Sequence, residues 1–283
     1  MLSPSTKNET DMIGLTIPVK KVEDEPLPAV KEEKKFSIIR PAYNEEKRIK
    51  PVLEEICSYI KTNDLPWNII ISIDGNDGTE MYVRKIMNEY QFLSYTKGRG
   101  RSGKGGAIKR ALDYGLGDFV ILMDSDGAIL FKDIIDSIPL LKKYDVVNFD
   151  RYKNRTNKIP IIRRFVSRGY NIYLRLLLGL KVNDTQCGYK IIKTDVVKNI
   201  FKKITISNGF FYSNLFFYLM QFNIPIIEVP IKYNHVDGSK FNVSSMVLGG
   251  FISAMAFRIR MSPFRKFIPN AIYELYYRKF RWI

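Results

Sequence analysis

The sequence is poor in the residues that form covalent cross-links and zinc clusters. Its 283 residues include two cysteines, Cys57 and Cys187, and one histidine. Two thiols far apart in sequence give no disulfide framework, and a single histidine gives no Cys/His zinc site. The composition therefore favours a protein of a reducing, cytosolic compartment.

The sequence also lacks a long apolar run. A helix needs about 20 apolar residues to span a bilayer, and the best candidate, residues 246–257, is shorter and ends before Arg258 and Arg260. The aromatic and basic end at 276–282 is typical of a helix lying at a lipid surface. A core helix with a solvated basic end and a hairpin entering one leaflet remain alternatives.

The first 35 residues lack the apolar core of a signal peptide, because prolines and charges interrupt them throughout. We expect residues 1–35 to form a flexible N-terminal tail. The interrupting prolines are Pro4, Pro18, Pro26 and Pro28.

The charge of the chain is unevenly distributed. A hydrophobic fraction of 46% with 26% charged residues excludes a wholly disordered chain, and the net charge of +16 indicates a polyanionic partner. Residues 36–150 carry 16 basic and 17 acidic side chains, whereas residues 151–283 carry 23 and 5. The two halves are therefore expected to have different functions.

Apolar runs alternate with amphipathic segments in the first half. Runs rich in Val and Ile, without polar alternation and separated by helices, predict a mostly parallel sheet sandwiched by helices. Side chains that bind ligands then gather at the carboxyl ends of the strands. The predicted strands are 36–39, 67–73, 91–96 and 119–123, and the predicted helices are 46–61, 79–90 and 107–116, with a glycine-rich basic loop at 97–106.

The pattern is less regular beyond residue 150. It predicts a basic helix at 161–180, strands at 189–192 and 226–233, an aromatic helix at 209–222, and two final helices. We expect one catalytic domain at 36–240, made of a first half at 36–150 and a second half at 151–240. Residues 241–283 would form a helical membrane-associating extension.

Two carboxylates follow the fourth predicted strand, in the string Asp124-Ser125-Asp126. At the end of a buried strand both can turn toward one cation. Carboxylate oxygens with open coordination positions suit Mg²⁺ or Mn²⁺ holding a diphosphate. Taken alone, the pair is a weak signal, because aspartate is common in loops that follow strands.

The loop at 98–105 is nearly a P-loop, but Gly105 stands where such a loop has the serine or threonine that binds Mg²⁺. Cations before a helix N-terminus still make an anion site. A mobile basic loop is the alternative. The cations are Lys97, Arg99, Arg101 and Lys104.

Seven short strings along the chain carry a resemblance to a known family. They are FSIIRPAYNEE (36–46), DGNDGT (74–79), GKGGAI (103–108), DSDGA (124–128), DTQCGYK (184–190), IIEVPI (226–231) and GSK (238–240). Their order and spacing are similar to those of family 2 glycosyltransferases, and the chain resembles the dolichyl-phosphate sugar synthases in particular. The string at 184–188 is closer to the dolichyl-phosphate β-glucosyltransferases than to the mannosyl enzymes.

The resemblance implies a GT-A-like, Rossmann-type sheet with C-terminal amphipathic helices. It makes 36–150 the nucleotide-sugar half of the catalytic domain and 151–240 the acceptor half. It implies an inverting enzyme that moves a sugar, with glucose from UDP-glucose favoured, to dolichyl or another polyprenyl phosphate, with Mg²⁺ or Mn²⁺ as cofactor. The protein would be peripheral or monotopic at the cytoplasmic face of an anionic membrane, without a spanning helix. A homo-oligomer is left open.

The resemblance also assigns roles to residues. Whether Asp184 is a base or only orients the sugar stays open. Ser239 and Lys240 are the candidates for closing over the diphosphate, with His235 as a lesser one. Donor binding is assigned to Pro41, Ala42, Tyr43, Glu45, Asp74, Lys104, Asp124, Ser125 and Asp126, with the metal at Asp124 and Asp126. The acceptor phosphate is assigned to Arg151, Arg163, Ser167, Ser239 and Lys240, and catalysis to Asp184, Lys240 and Arg163.

Other functions stay open at this point. N-acetylglucosamine or mannose could replace glucose, and a neutral hydroxyl could replace the lipid phosphate. Gly105 argues against a P-loop nucleotidase. A nucleic-acid binder would explain the net charge, but it has no need of the acidic string at Asp124, so we expect no nucleic-acid partner.

Overall fold

The structure is a computed structural model that describes residues 20–21, 35–154, 161–204, 206–208, 210–233, 243–263 and 269. For residues 20–21, 162–163 and 243–248 only the backbone is described.

A single mixed sheet runs through the described part of the chain. Its order is β1-β8-β6-β7-β5-β2-β3-β4, and every pairing is parallel except those of β7 with β5 and β6. The predicted mostly parallel sheet is thus confirmed. The strands are β1 Lys20–Lys21, β2 Phe36–Tyr43, β3 Asn68–Asp74, β4 Leu93–Lys97, β5 Phe119–Leu122, β6 Val146–Asp150, β7 Lys190–Lys193 and β8 Ile226–Pro230.

Helices connect most of these strands, and a short 3₁₀ helix spans Ile138–Lys142. The sequence did not predict α4, α6 or β6. The helices are α1 Glu46–Thr62, α2 Thr79–Met87, α3 Gly103–Ala111, α4 Phe131–Ile135, α5 Ile161–Leu178, α6 Thr194–Phe201, α7 Phe211–Gln221 and α8 Val243–Arg260.

The start of α3 corrects the predicted basic loop. The helix begins at Gly103, four residues before the expected start, so Lys104 lies in its first turn. Three glycines in GKGGAI lowered the expected helix propensity, but tertiary packing against residue 207 and Phe211 overrides it.

Apolar side chains fill both faces of the sheet. Consecutive strand residues point to opposite faces, so Ile38 belongs to one core cluster and Ile39 to the other. The first cluster includes residues of α1, and the second includes residues of α6, α7 and α8. A sheet covered on both faces leaves the ends of its strands as the place for a site.

Two residues within the expected N-terminal tail join the sheet, because Lys20 and Lys21 pair in parallel with Ile227 and Glu228. At the other end, α8 packs Ala254 and Phe257 into the second core cluster. Among the described residues, no helix is long and apolar enough to cross a membrane.

Candidate active site

The carboxyl ends of β2, β3, β5 and β6 lie at one edge of the sheet, because these strands run parallel. Glu45, Asp74, Asp124, Asp126 and Asp150 lie at these strand ends or just beyond them. The first four follow predicted strands, so their position agrees with the expectation that ligand-binding side chains gather at the strand ends.

Asp124 and Lys104 form an ion pair at this edge, between the Oδ1 and Nζ atoms. The Lys104 amine also lies 4.8 Å from the ring centre of Tyr212. Burial disfavours its charge, but Asp124 and Tyr212 outweigh burial and raise the pKa of Lys104. Lys104 therefore stays protonated, and it brings α3 against the segment that follows β5.

Asp126 is held by two donors. The Tyr189 hydroxyl and the Ala128 amide both donate to its Oδ1, each at 3.1 Å. Burial, followed by the charges of Asp126 and Asp124, raises the pKa of Tyr189 far above its usual value, so this phenol keeps its proton. Ser125 donates its hydroxyl to the carbonyl oxygen of Pro41 at 3.1 Å, which links this segment to β2.

Two glycines allow the close approaches around the pair. A Cβ at Gly188 would lie 1.8 Å from Oδ2 of Asp124, so any side chain there would displace the carboxylate. Gly103 has φ +73°, which favours glycine, and a Cβ there would lie 2.6 Å from a backbone oxygen of Ser207.

A buried arginine lies beneath the two carboxylates. Arg40 of β2 has no exposed surface, and its Nη2 donates to the backbone oxygen of Asp124 at 3.3 Å. Its Nε and Nη1 have no hydrogen-bond partner among the residues that the structure describes. Burial lowers the pKa of Arg40, while Tyr189, Asp126 and Asp124 favour its charge. This cation was not among the predicted site residues, although a charge between Ile39 and Pro41 in an apolar strand was the available signal.

The β2 end supplies an aromatic and an acidic side chain. The Arg101 guanidinium lies 4.6 Å from the ring centre of Tyr43, and Ala42 is buried. Glu45 accepts two hydrogen bonds from Arg48, at 2.8 and 2.7 Å. Burial raises the pKa of Glu45 more than Arg48 lowers it.

Asp74 is engaged within the protein rather than facing an open pocket. It is 3% exposed, and it accepts hydrogen bonds from Arg110 at 2.7 Å and from the Ser102 amide and hydroxyl at 2.6 and 2.7 Å. Asp74 therefore fixes the loop that leads into α3, and with it the position of Lys104.

Asp184 and Arg151 form the second charged pair of the site. Arg151 Nε and Nη2 donate to the two Asp184 oxygens at 2.7 and 2.9 Å, and its backbone amide donates at 3.2 Å. The Gln186 amide is a further donor to Asp184, at 3.2 Å. Burial opposes the charge of Arg151, but Asp184 outweighs it and raises the pKa of Arg151. A fully buried, fourfold bonded carboxylate suits orientation better than proton abstraction.

The remaining predicted acceptor residues are only partly described. The Ser167 carbonyl oxygen in α5 accepts from Asn171, which in turn accepts from both the amide and the hydroxyl of Thr185 beside Asp184. Of Arg163 the structure describes only the backbone, and Ser239, Lys240 and His235 lie outside the described residues.

Lys190 and Glu228 are further buried charged residues that were not among the predicted site residues. Lys190 of β7 has no exposed surface and donates to the Cys187 carbonyl oxygen; burial lowers its pKa to about 8. Glu228 of β8 accepts from Asn183 and the Asp184 amide, so it holds the segment that carries Asp184. Each was visible as a charge inside an apolar string.

The thiols take no part in this chemistry. Cys57 and Cys187 are free and buried. Burial raises the pKa of Cys57 to about 12 and that of Cys187 to about 11. Since the thiolate is the reactive form, both thiols are inert near neutral pH.

The acidic pair fits a divalent metal that is shared with a ligand. No group of three His, Cys, Asp or Glu side chains that could hold a metal occurs in the described part of the chain. Lys104 already engages one oxygen of Asp124, and both hydrogen bonds to Asp126 end at Oδ1. A hard cation such as Mg²⁺ or Mn²⁺ would therefore take its other ligands from water and from a diphosphate.

Comparison with known sequences identifies relatives over most of the chain. A family model described as Glycosyl transferase family 2 matches residues 37–201. A dolichyl-phosphate beta-glucosyltransferase of Trichomonas vaginalis is 29% identical over 224 residues, covering 75% of this chain and 69% of the relative. The Saccharomyces cerevisiae and Homo sapiens enzymes of the same name are 29% and 26% identical, each over 228 residues; these matches cover 72% and 73% of this chain, and 68% and 69% of the relatives.

Solved structures share the fold. Glucosyl-3-phosphoglycerate synthase from Mycobacterium tuberculosis, in complex with Mn²⁺, uridine diphosphate and phosphoglyceric acid, superposes with a TM-score of 0.63 at 20% identity; the match covers 86% of this chain and 87% of that one. Mannosyl-3-phosphoglycerate synthase from Rubrobacter xylanophilus gives 0.57 at 14% identity, with 81% and 74% covered.

Proposed function

The chain belongs to glycosyl transferase family 2, and we propose that this glycosyltransferase moves glucose from UDP-glucose to dolichyl or another polyprenyl phosphate. The observation that carries the proposal is the ion pair between Lys104 and Asp124, with Asp126 two residues further on, at the carboxyl edge of the sheet. The relatives named dolichyl-phosphate beta-glucosyltransferase support the choice of glucose and of the lipid phosphate acceptor.

The acceptor needs little activation. A phosphate monoester has a second pKa near 6, so at neutral pH it is mostly a dianion and is already nucleophilic. One of its oxygens attacks the anomeric carbon of glucose as the bond from that carbon to the diphosphate oxygen breaks. Uridine diphosphate leaves, and attack opposite to the leaving group inverts the anomeric centre to give a β-linked product.

The donor half has to stabilise the leaving diphosphate. Lys104 is protonated, and its ion pair with Asp124 fixes its position. Its charge would therefore already be in place when the diphosphate leaves. Asp126, with Asp124, would hold Mg²⁺ or Mn²⁺. When bound, such a metal supplies positive charge that offsets the growing charge of the leaving group.

The nucleoside is proposed to lie on the β2 end, where Pro41, Ala42 and Tyr43 border the edge and Ser125 reaches back to Pro41. The hydrogen bond from Arg48 holds the Glu45 side chain near the β2 end. Asp74 contributes indirectly, because it holds the loop before α3.

The acceptor half has to offset repulsion between two anions. We assign the acceptor phosphate to Arg151, Arg163, Ser167, Ser239 and Lys240. Lys240 and Arg163 would also act on the reacting groups. Asp184 is proposed to orient Arg151, since a neutral hydroxyl acceptor, which requires a base, is not part of the reaction.

The chain is proposed to be organised around this division. Residues 36–150 form the donor half, 151–240 the acceptor half, and 241–283 an extension that associates with the cytoplasmic face of an anionic membrane. Residues 1–35 precede the catalytic domain.

Transfer from a panel of radiolabelled nucleotide sugars tests the proposal. Polyprenyl phosphate and free sugars serve as acceptors, with Mg²⁺, Mn²⁺ or EDTA. We expect label from UDP-glucose in the lipid phosphate, and none with EDTA. Label from UDP-N-acetylglucosamine or GDP-mannose would change the donor, and label only in free sugars would overturn the lipid acceptor.

A further inference from the structure

The outer face of α5 carries a stripe of large apolar side chains. Ile161, Phe165, Ile172 and Leu176 are between 56% and 84% exposed. Spacings of four, seven and four residues keep them within about 60° of one another on a helix, while Tyr170 and Leu174 on the opposite side are buried. The helix is therefore apolar on the face turned away from the protein as well.

A groove between α5 and α8 continues this apolar surface. Its volume is about 490 Å³, and the Tyr173 and Phe251 rings that line it are 4.4 Å apart between centroids. The other lining residues are Ile252, Met255, Ala256 and Ile259. We name the α5 stripe and this groove together the α5–α8 face. Exposed apolar surface of this extent marks a contact site.

The charge of the two helices indicates what covers this face. Arg168 and Arg258 are exposed, and neither helix contains an aspartate or glutamate. The other arginines are Arg163, Arg164, Arg175 and Arg260. Apolar side chains bordered by cations suit a helix that lies in an anionic lipid interface.

Other occupants fit this charge less well. A second copy across a two-fold axis would oppose the same cationic helices. Residues 264–283 carry five basic side chains and only Glu274 as an acid, so they too would add like charge.

We propose that the α5–α8 face docks the protein on an anionic lipid bilayer, with the α5 stripe inserted among the lipid chains. The role of this docking in the reaction rests on the proposed function, in which the acceptor is a lipid phosphate. Asn171 of α5 is bonded to Thr185, next to the Arg151–Asp184 pair. A bilayer beneath α5 thus places phosphates near the acceptor half.

Cosedimentation with lipid vesicles tests the docking. Phe165→Glu and Leu176→Glu each place a negative charge in the stripe. Met81→Glu is the matched control, because Met81 of α2 is as exposed as Phe165 but lies outside the α5–α8 face. Vesicles contain phosphatidylcholine alone or mixed with phosphatidylserine, and thermal melting confirms that each variant folds.

We expect the unaltered protein and Met81→Glu to bind the phosphatidylserine vesicles, and each stripe variant to bind at least about tenfold less. Equal binding by the stripe variants would overturn the proposal. The proposal would also be overturned if sedimentation velocity showed a dimer of the unaltered protein that the stripe substitutions dissociate. Transfer by the unaltered protein to a short polyprenyl phosphate dispersed without vesicles tests the proposed function separately.

Discussion

At the scale of single residues, the site is shaped by buried charges that are not themselves expected to touch the substrate. Arg40 lies under Asp124, Asp74 fixes the loop before α3, and Glu228 holds the segment of Asp184. A buried charge is costly unless it is paired. Their contacts indicate that Arg40 and Asp74 set the geometry around Asp124 and Lys104, and that Glu228 sets the position of Asp184.

Arg40→Met should tighten metal binding. The substitution keeps most of the volume and removes a cation near two proposed ligands. Charges a few ångströms apart interact by on the order of 1 kcal/mol or more, so the Mn²⁺ dissociation constant in the presence of UDP should fall at least about threefold. The single 3.3 Å hydrogen bond to Asp124 is the weaker effect.

Electron paramagnetic resonance of free Mn²⁺ measures this affinity directly. Arg84→Met is the control, because Arg84 lies on exposed α2 and pairs with Glu80. Unchanged Mn²⁺ binding by Arg40→Met would mean that the charge of Arg40 does not affect the metal site. Weaker binding would mean that its contact with Asp124 matters more than its charge.

Lys190 should make stability depend on pH. Burial lowers its folded pKa to about 8, below the value of about 10.4 for an unfolded lysine. Below about pH 8 both states carry the proton, and the burial cost is fully present. Between about pH 8 and 10.4 the unfolded chain binds more protons, so stability rises with pH, by up to about 1.4 kcal/mol per unit.

Lys190→Met lacks this titration and provides the reference. Urea unfolding of both proteins at about pH 7 and about pH 9 gives the difference in the free energy of unfolding. The unaltered protein should gain on the variant by about 1 kcal/mol. A constant difference would show that Lys190 keeps its charge throughout.

At the scale of elements, local pattern predicted most of what lies before residue 124. The strand-helix alternation, the sheet that it implies and the acidic string at Asp124 could all be predicted. The insertion of β7 between β5 and β6, antiparallel to both, could not, because pairing partners are not written in local periodicity. The same holds for α3, whose glycines are explained only by the chain packed against them.

The two charged pairs show the same limit. The sequence marked Lys104, Asp124, Arg151 and Asp184 as separate candidates, and the structure joins them pairwise. Pairing changes their chemistry, since it fixes the charge of Lys104 and leaves Asp184 without exposed surface.

At the scale of the whole molecule, the proposed function assigns two tasks to the two halves of the chain. The electrically balanced half contains the acidic pair and its lysine, and the cationic half contains the Arg151–Asp184 pair and the α5–α8 face. Under this proposal, a donor from water and an acceptor from a bilayer would meet at the strand ends.

The most direct test of this account is the initial rate of glucose transfer from UDP-glucose to polyprenyl phosphate with Mn²⁺, for the unaltered protein, Asp126→Asn and Asp136→Asn. Asp136 is an exposed aspartate after α4, paired with Lys132. Loss of a group that stabilises the leaving diphosphate should lower the rate of Asp126→Asn at least about 100-fold, while Asp136→Asn keeps the full rate. Full transfer by Asp126→Asn would contradict the assignment of this edge as the donor site.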